Sequence, residues 1–348
     1  MTERIELRDG YTCNRVINGC WQLSEGHTLK GQLDLKDVMH AFHELAEQGF
    51  TTFDCGDIYT GVEEFLGKFI NELKNGNGIS PNDIQIHTKY VPDLDILSQV
   101  DFAYTEKIID RSLKRLNKDV LDMVQFHWWD YEVPGCLETA GNLVRLQEKG
   151  KIRNISVTNF DTKHLAELVE AGIPVVTSQT QYSVFDRRPE KGYLEYCRQH
   201  NIPLLCYGTL SGGFLAEKWI GKTLTEPETR SQVKYLQVIE DSLGWDGYQE
   251  LLLLLKEIAD RHGVSISNVA TKYILAQEGV GAAIVGVRNS RHVKSNAQIF
   301  DFQLEEAETA KIRSYLAQFG TVDGEPFEQE RTIGSKYRNI MWMNLNEE

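Results

Sequence analysis

Short apolar runs alternate with longer amphipathic segments along most of the chain. The runs predict eight buried strands, at Val16–Ile17, Thr51–Asp54, Ile84–Tyr90, Leu121–His127, Ile152–Thr158, Val175–Gln179, Pro203–Tyr207 and Ala282–Gly286. Between them, apolar residues at helical spacing predict helices at Leu35–Gln48, Val62–Lys74, Thr105–Leu116, Leu137–Lys149, Thr162–Ala171, Pro189–His200 and Tyr248–His262. Unbroken apolar strands that alternate with helices are typical of a parallel sheet, and eight repeats favour a closed (β/α)8 TIM barrel. Before the first repeat, Asp9-Gly10 predicts an N-terminal β-hairpin.

The chain shows no linker or low-complexity break, so we expect residues 1–348 to form a single domain. The connection after the seventh barrel strand is long, from Gly208 to about Gly247, and its polar middle, Thr223–Thr229, predicts a surface excursion. A tail, residues 320–348, follows the last predicted helix and carries the apolar Met341-Trp342-Met343. This segment is too apolar to be left in water, and it could dock across the barrel mouth or on the flank.

Composition narrows the class of partner. The formal charge of −14 argues against a nucleic-acid or anionic-membrane surface, and no apolar run approaches membrane-spanning length. The six cysteines show no Cys-x-x-Cys spacing, which favours reduced thiols and a cytoplasmic location. We therefore expect a small-molecule partner; the sequence indicates no particular oligomeric state.

Polar side chains gather where the predicted strands end, and in a barrel these ends meet at one mouth. Asp54 ends the second strand with Tyr59 in the loop beyond it, Lys89 ends the third strand, and His127 ends the fourth. A lysine in a barrel mouth needs a counter-charge, which Asp54 can supply. A nearby ammonium would also lower the pKa of the Tyr59 phenol from about 10, which suits proton transfer. Taken alone, Tyr59 could be a turn packing residue and His127 a hydrogen-bonded core histidine.

These residues carry a resemblance to the aldo-keto reductase superfamily. The pattern Asp54-x-x-x-x-Tyr59-x-x-x-Glu63-x-x-Leu66-Gly67, with Lys89 and His127 closing the next strands, is similar to the family's catalytic segment. Later segments that resemble family signatures are Gly150–Phe160, Gln179-x-x-Tyr182-Ser183, Tyr207–Gly213 and Ile284–Arg288 followed by Asn296. The match runs from about Gly19 to Asn296, and its motifs are in order and correctly spaced.

The resemblance implies an NADPH-dependent carbonyl reductase acting on an aldehyde, ketone or sugar. It implies that Tyr59 is the general acid and that Asp54 and Lys89 adjust the pKa of its phenol. It also implies that His127 orients the substrate carbonyl and is a second hydrogen-bond donor. Substrate-side residues would be Trp21, Tyr59, His127 and Trp128. Residues implied for the cofactor are Gly19, Cys20, Trp21, Asp54, Thr158, Asn159, Gln179, Tyr207, Gly208, Thr209, Leu210, Gly212, Gly286, Val287, Arg288, His292 and Asn296.

Some departures and alternatives bear on this interpretation. Thr60 replaces the glycine that usually follows the tyrosine, and Cys55 and Gly56 vary the residues after the aspartate. Gly286 stands where many members carry a lysine for the 2′-phosphate, so a preference for NADP rests on Arg288 and His292, and NAD is possible.

Other functions compete with carbonyl reduction. One is a Schiff-base aldolase using Lys89 as the amine, and another is a cofactor-binding regulatory subunit with little turnover. A metal-dependent hydrolase is disfavoured because the sequence contains no His-x-His, and no metal site is expected.

Overall fold

Eight parallel strands close into a barrel in the computed structural model, which describes residues 2–76, 78–223 and 226–346. The barrel strands are β3 (Val16–Gly19), β4 (Thr52–Asp54), β5 (Gln85–Tyr90), β6 (Met123–Phe126), β7 (Ile155–Thr158), β8 (Val175–Gln181), β9 (Leu204–Tyr207) and β10 (Val280–Gly286). Each strand pairs with its neighbour in sequence, and β10 pairs with β3 to close the ring. The predicted TIM barrel is thus confirmed. The predicted hairpin is also confirmed, as β1 (Arg4–Arg8) and β2 (Tyr11–Asn14) pair antiparallel.

Helices fill the connections between the barrel strands. They are α1 (Leu35–Glu47), α2 (Val62–Asn75), α3 (Phe102–Leu116), α4 (Cys136–Glu148), α5 (Thr162–Glu170), α6 (Tyr193–Gln199), α7 (Arg230–Ser242), α8 (Gly244–His262), α9 (Ile266–Leu275), α10 (Val293–Ala297), α11 (Glu306–Leu316) and α12 (Glu328–Arg331). The main core lies between the strands and these helices.

The helices that the sequence pattern did not predict include α7 and α9. The first, α7, lies in the long connection after β9. The predicted surface excursion is therefore limited to the part of this connection that precedes α7. Leu224 and Thr225 in that part lie outside the described residues. The other is α9, in which every residue except Ser267 is buried. A helix buried on nearly all sides lacks the one-faced apolar stripe by which helices are found in sequences.

The segment that carries Asp54 and Tyr59 is set by two tight packing arrangements. In α2, Val62, Leu66 and Phe69 are fully buried, which fixes this helix against the barrel. A Cβ atom at Gly67 would lie 2.0 Å from the Arg115 carbonyl oxygen, so only glycine allows α2 and α3 to cross this closely. The loop between β4 and α2 therefore starts and ends on rigid elements.

The tail lies across the face of the barrel where the strands end. Its residues bond to five segments, each following a barrel strand: Thr321 to Arg187, Glu325 to Thr162, Arg331 to Trp128, Ile340 to Arg230 and Met343 to Leu94. The indole of Trp342 stacks on the guanidinium of Arg230, with 3.5 Å between the guanidinium carbon and the ring centroid. Trp342 and Met343 therefore contact the segments that follow β9 and β5.

Within the described ranges, no helix combines the length and the hydropathy that crossing a bilayer requires.

Candidate active site

A buried ion pair forms the floor of the mouth. The Lys89 ammonium, at the end of β5, donates to Asp54 Oδ1 at 2.7 Å and to the Cys55 carbonyl oxygen at 2.6 Å. Both side chains are about 95% buried. Burial alone would lower the pKa of Lys89, but the adjacent Asp54 carboxylate outweighs burial and raises it. Lys89 is therefore held as an ammonium ion.

Tyr59 lies directly over this ion pair. The Lys89 ammonium is 4.7 Å from the centroid of the phenol ring. Burial raises the pKa of Tyr59 to about 12, while Lys89 lowers it and Asp54 raises it. The sequence predicted the lowering by Lys89; in the folded protein, however, burial has the larger effect. Tyr59 is thus a protonated phenol at neutral pH.

Two glutamines that face the barrel interior complete the surroundings of Asp54. Gln125, from β6, and Gln179, from β8, donate to Asp54 Oδ2 at 2.7 and 2.6 Å. The amide nitrogen of Gln179 also donates to Gln125 Oε1 at 2.8 Å, which leaves only its oxygen for a ligand. Gln125 was not among the predicted site residues, although a single amide within the apolar run of β6 could have marked it. Asp54 is thereby fixed by an ammonium and two amides.

A hydrogen bond to Thr158, at the end of β7, orients His127. Its Nδ1 lies 3.0 Å from the Thr158 carbonyl oxygen, which can only accept, so Nδ1 carries a proton. Burial, with a contribution from Arg331, lowers the pKa of His127 well below its usual range. The ring is therefore neutral, and its Nε2 carries a lone pair. This Nε2 is buried without a protein partner, which leaves it available to a substrate.

Three aromatic rings surround the reacting groups. The Trp21 indole lies 4.8 Å from the Tyr59 ring, and the Trp129 indole packs edge-on against His127 at 4.5 Å between centroids. Phe327 of the tail also contacts His127, at 5.4 Å between centroids, and packs against Trp129 at 6.3 Å. Trp129 and Phe327 were not among the predicted site residues, since the approach of the tail is a long-range contact.

Trp128, predicted to line the substrate side, is fully buried away from these rings. It packs on Phe126, and its indole donates to the Val133 carbonyl oxygen at 3.1 Å. The structure does not bring it beside Tyr59.

On the side predicted for the nicotinamide, four residues form two hydrogen-bonded pairs. The Tyr207 hydroxyl donates to Asn159 Oδ1 at 2.7 Å, and Thr158 donates weakly to Gln179 Oε1 at 3.4 Å. Asn159 has a left-handed backbone, with φ of 61°, which turns the chain sharply at the end of β7. These side chains present amide and hydroxyl groups to one region of the mouth.

The loop after β9 contains glycines with left-handed backbones. Gly208 and Gly212 have φ of 74° and 65°, and a Cβ atom at Gly208 would lie 2.1 Å from the Tyr235 hydroxyl of α7. Between these glycines, the Thr209 hydroxyl is buried without a partner, and Leu210 is partly buried. Glycines that bring the backbone close, beside an unpartnered hydroxyl, suit a pyrophosphate.

The loop after β10 supplies the remaining predicted cofactor residues. Gly286 pairs with Gly19 in the barrel, and a Cβ atom at Gly286 would lie 2.4 Å from the Gln22 amide, which occupies this space. Arg288 donates to Thr28 at 3.4 Å, and its buried Nε has no partner. The other predicted residues differ in accessibility: Cys20 and Val287 are buried, Asn296 is partly exposed and His292 is exposed. The Arg288 Nε atom and the Gln22 amide oxygen, both without a hydrogen-bond partner, could bind polar groups of a nucleotide.

A buried cluster of ions anchors the tail beside Tyr207. Glu330 of α12 is fully buried and accepts from Arg188 at 3.1 Å and from Lys234 at 2.8 Å. Arg188 also binds Asp186 through two nitrogens at 2.9 Å each. Burial would raise the pKa of Glu330, but Lys234 and Arg188 outweigh it and hold that pKa at about 2. The tail thus contributes a carboxylate that two buried cations require.

Comparisons with known proteins show which family the chain resembles over most of its length. The model of the aldo/keto reductase family matches residues 15–317. The aldo-keto reductase YhdN of Bacillus subtilis (strain 168) is 28% identical over 313 residues, which cover 88% of this chain and 91% of that protein. The Schizosaccharomyces pombe aldo-keto reductase yakc, whose name specifies NADP(+), is 25% identical and covers 92% of this chain and 90% of its own. A glycerol dehydrogenase from Gluconobacter oxydans superposes with a TM-score of 0.76 at 25% identity, over 92% of this chain and 97% of that structure.

Proposed function

Because the chain belongs to the aldo/keto reductase family, whose members are oxidoreductases acting on carbonyls with nicotinamide cofactors, we propose that it reduces an aldehyde or ketone with NADPH. The same site would run the reverse reaction, the oxidation of an alcohol or sugar. The observation that carries the proposal is the Tyr59 phenol lying over the buried Lys89–Asp54 ion pair. When bound, the reduced nicotinamide supplies a hydride.

Tyr59 is the proton donor in this proposal. Its pKa of about 12 keeps it protonated, and Lys89 stabilises the phenolate that remains after the proton leaves. His127 Nε2, which carries a lone pair, accepts a hydrogen bond from the hydroxyl group of the alcohol, because a carbonyl oxygen has no proton to share with it. Since Nδ1 already donates to Thr158, the neutral ring has no proton to give at Nε2. We therefore assign the proton to Tyr59 alone, and this differs from the donor role that the resemblance implies for His127.

The ion pair argues against Lys89 as a Schiff-base nucleophile. An amine attacks a carbonyl only when it is unprotonated, and Asp54 raises the pKa of Lys89. Trapping with borohydride in the presence of a carbonyl substrate should therefore leave the mass of the protein unchanged.

Tyr59→Phe tests the assignment, with Tyr90→Phe as the matched control. Removing a positioned acid should lower the rate of reduction by about 10²–10⁴. Tyr90 is also buried, but its hydroxyl donates to Thr105 at 3.1 Å, so its loss should leave turnover near that of the unchanged protein. Turnover is followed by NADPH absorbance against a panel of aldehydes, ketones and sugars. Near-full activity of Tyr59→Phe would refute the assignment, and tight cofactor binding without turnover of any carbonyl would favour a regulatory subunit.

We propose that Tyr207, Asn159, Thr158 and the oxygen of Gln179 hold the nicotinamide end and that Gly208–Gly212 hold the pyrophosphate. Arg288 would bind the 2′-phosphate, so Arg288→Gln should weaken NADPH far more than NADH, as measured by quenching of protein fluorescence. Equal weakening of both cofactors would assign Arg288 a structural role. The six free thiols favour a reducing, cytoplasmic location.

A further inference from the structure

Asn346, near the end of the tail, joins two loops that follow neighbouring barrel strands. Its side-chain nitrogen donates to Asp57 Oδ2 at 3.1 Å and to the Val91 carbonyl oxygen at 2.5 Å. Asp57 Oδ2 also accepts from the Val91 backbone nitrogen at 3.0 Å. Asn346, Asp57 and Val91 are all buried, so these bonds form a closed triangle shielded from water.

The remaining polar groups of Asn346 are also bound. Its backbone nitrogen donates to Asp93 at 2.9 Å, and the Leu345 nitrogen donates to the same carboxylate at 2.8 Å. Arg111 of α3 donates to the Asn346 carbonyl oxygen at 3.0 Å and to its side-chain oxygen. Every donor and acceptor of this residue is thus paired, as in a buried site built for one side chain.

The triangle lies close in sequence to two reacting groups. Asp57 precedes Tyr59 by two residues, and Val91 follows Lys89 by two residues. The loop of Tyr59 and the end of β5 are therefore joined in three ways: through the Lys89 ammonium, through the direct Val91–Asp57 hydrogen bond and through Asn346. With these connections in place, the two loops cannot separate without breaking buried hydrogen bonds.

We infer that Asn346 is a positioning residue for the reaction, which holds the Tyr59 loop against the strand end that carries Lys89. The inference rests on the proposed function, because it assigns Tyr59 and Lys89 their roles. An asparagine suits the task because one NH2 group reaches a carboxylate and a carbonyl together; alanine and aspartate lack these two donors. Burial, together with the charge of Glu63, raises the pKa of Asp57 to about 7. The hydrogen bonds from Val91 and Asn346 and the charge of Arg111 lower this pKa and so limit the rise.

The test compares Asn346→Ala with Asn344→Ala in the full chain. Asn344 lies in the same segment, but its side chain accepts only from the exposed Asp95 nitrogen, at 3.1 Å. For Asn346→Ala we expect kcat to fall by about ten- to a hundredfold, with unchanged NADPH affinity, since small misplacements of reacting groups have effects of this size. A larger primary isotope effect with deuterated NADPH would show that the chemical step has slowed. Asn344→Ala should match the unchanged protein in all three measurements.

Hydrogen exchange provides a readout that does not depend on turnover. Amide protons of residues 55–61 and 89–93 should exchange faster in Asn346→Ala, and not in Asn344→Ala. If Asn346→Ala folds poorly, Asn346→Asp takes its place, because it keeps the shape of the side chain but loses both donors. We expect the same lower kcat and the same faster exchange in this variant. Unchanged kcat or unchanged exchange in Asn346→Ala, or equal effects of the two alanine variants, would overturn the inference. If the unchanged protein reduces no carbonyl, the proposed function fails, whereas unchanged exchange alone refutes the positioning role.

Discussion

At the scale of single residues, Gly56 determines how closely Tyr59 and Lys89 can lie. A Cβ atom at Gly56 would be 3.3 Å from both the Lys89 Cδ atom and the Tyr59 ring. Because these contacts are tighter than ordinary packing, Gly56→Ala should displace the phenol or the ammonium and lower kcat by about tenfold or more. The control is Gly141→Ala in α4, where a Cβ atom would meet nothing within 4 Å. Equal turnover in the two variants would mean that the site tolerates this displacement.

Lys89→Met should affect the two directions of the reaction unequally. Lys89 lowers the pKa of Tyr59, whereas burial and Asp54 raise it, so loss of the ammonium moves this pKa further up. Alcohol oxidation needs the phenolate as base, and its fraction at a given pH falls tenfold for each unit by which the pKa rises. Oxidation should therefore decline more than reduction, and its pH profile should shift to higher pH. Equal losses in both directions would contradict the tuning role of Lys89.

At the scale of elements, the short segment before α12 places Phe327 against His127. Phe327 has φ of 62°, a left-handed conformation that is strained for an aromatic residue. Removing the ring should widen the substrate side, so Phe327→Ala and Phe327→Gly should both raise KM and relax selectivity. The glycine variant should be the more stable by about 1 kcal/mol, because glycine adopts this backbone freely. Thermal unfolding measures the difference in stability between the two variants, and a substrate panel measures KM and selectivity. If Phe327→Gly were less stable than Phe327→Ala, the backbone of Phe327 would not be strained.

The barrel strands were predictable because each is a short apolar run, and Asp54, Lys89 and His127 because they end such runs. The missed elements lack a local signal. In α7, Gln232 and Lys234 are buried polar residues, so the helix does not show an apolar face in the sequence. Asn346 gives no signal either, since its partner Asp57 lies 289 residues away. Contacts made by the tail depend on the closed barrel, and no window of sequence contains both partners.

At the scale of the whole molecule, Glu330 should make stability depend on pH. Its pKa in the folded protein, about 2, lies below its usual 4.5, so the folded state favours the carboxylate. This contribution to stability is present above pH of about 4.5 and is lost as pH falls toward 2. Glu330→Gln should lower stability by about 3–5 kcal/mol at neutral pH, because Lys234 would stay buried without its counter-charge and Arg188 would keep only Asp186. Its Tm should also fall less on acidification than that of the unchanged protein; parallel Tm curves would rule out this role of Glu330.

The tail that lies across the mouth also sets an order of events in folding. Its contacts join distant parts of the chain, with separations of 142 residues for Arg188–Glu330 and 289 for Asp57–Asn346. The surfaces it binds exist only after the barrel has closed, and contacts at such separations form late. During refolding from denaturant, the circular dichroism of the barrel should therefore recover before activity does. The delay between the two signals would measure the time that a complete barrel spends as an inactive intermediate.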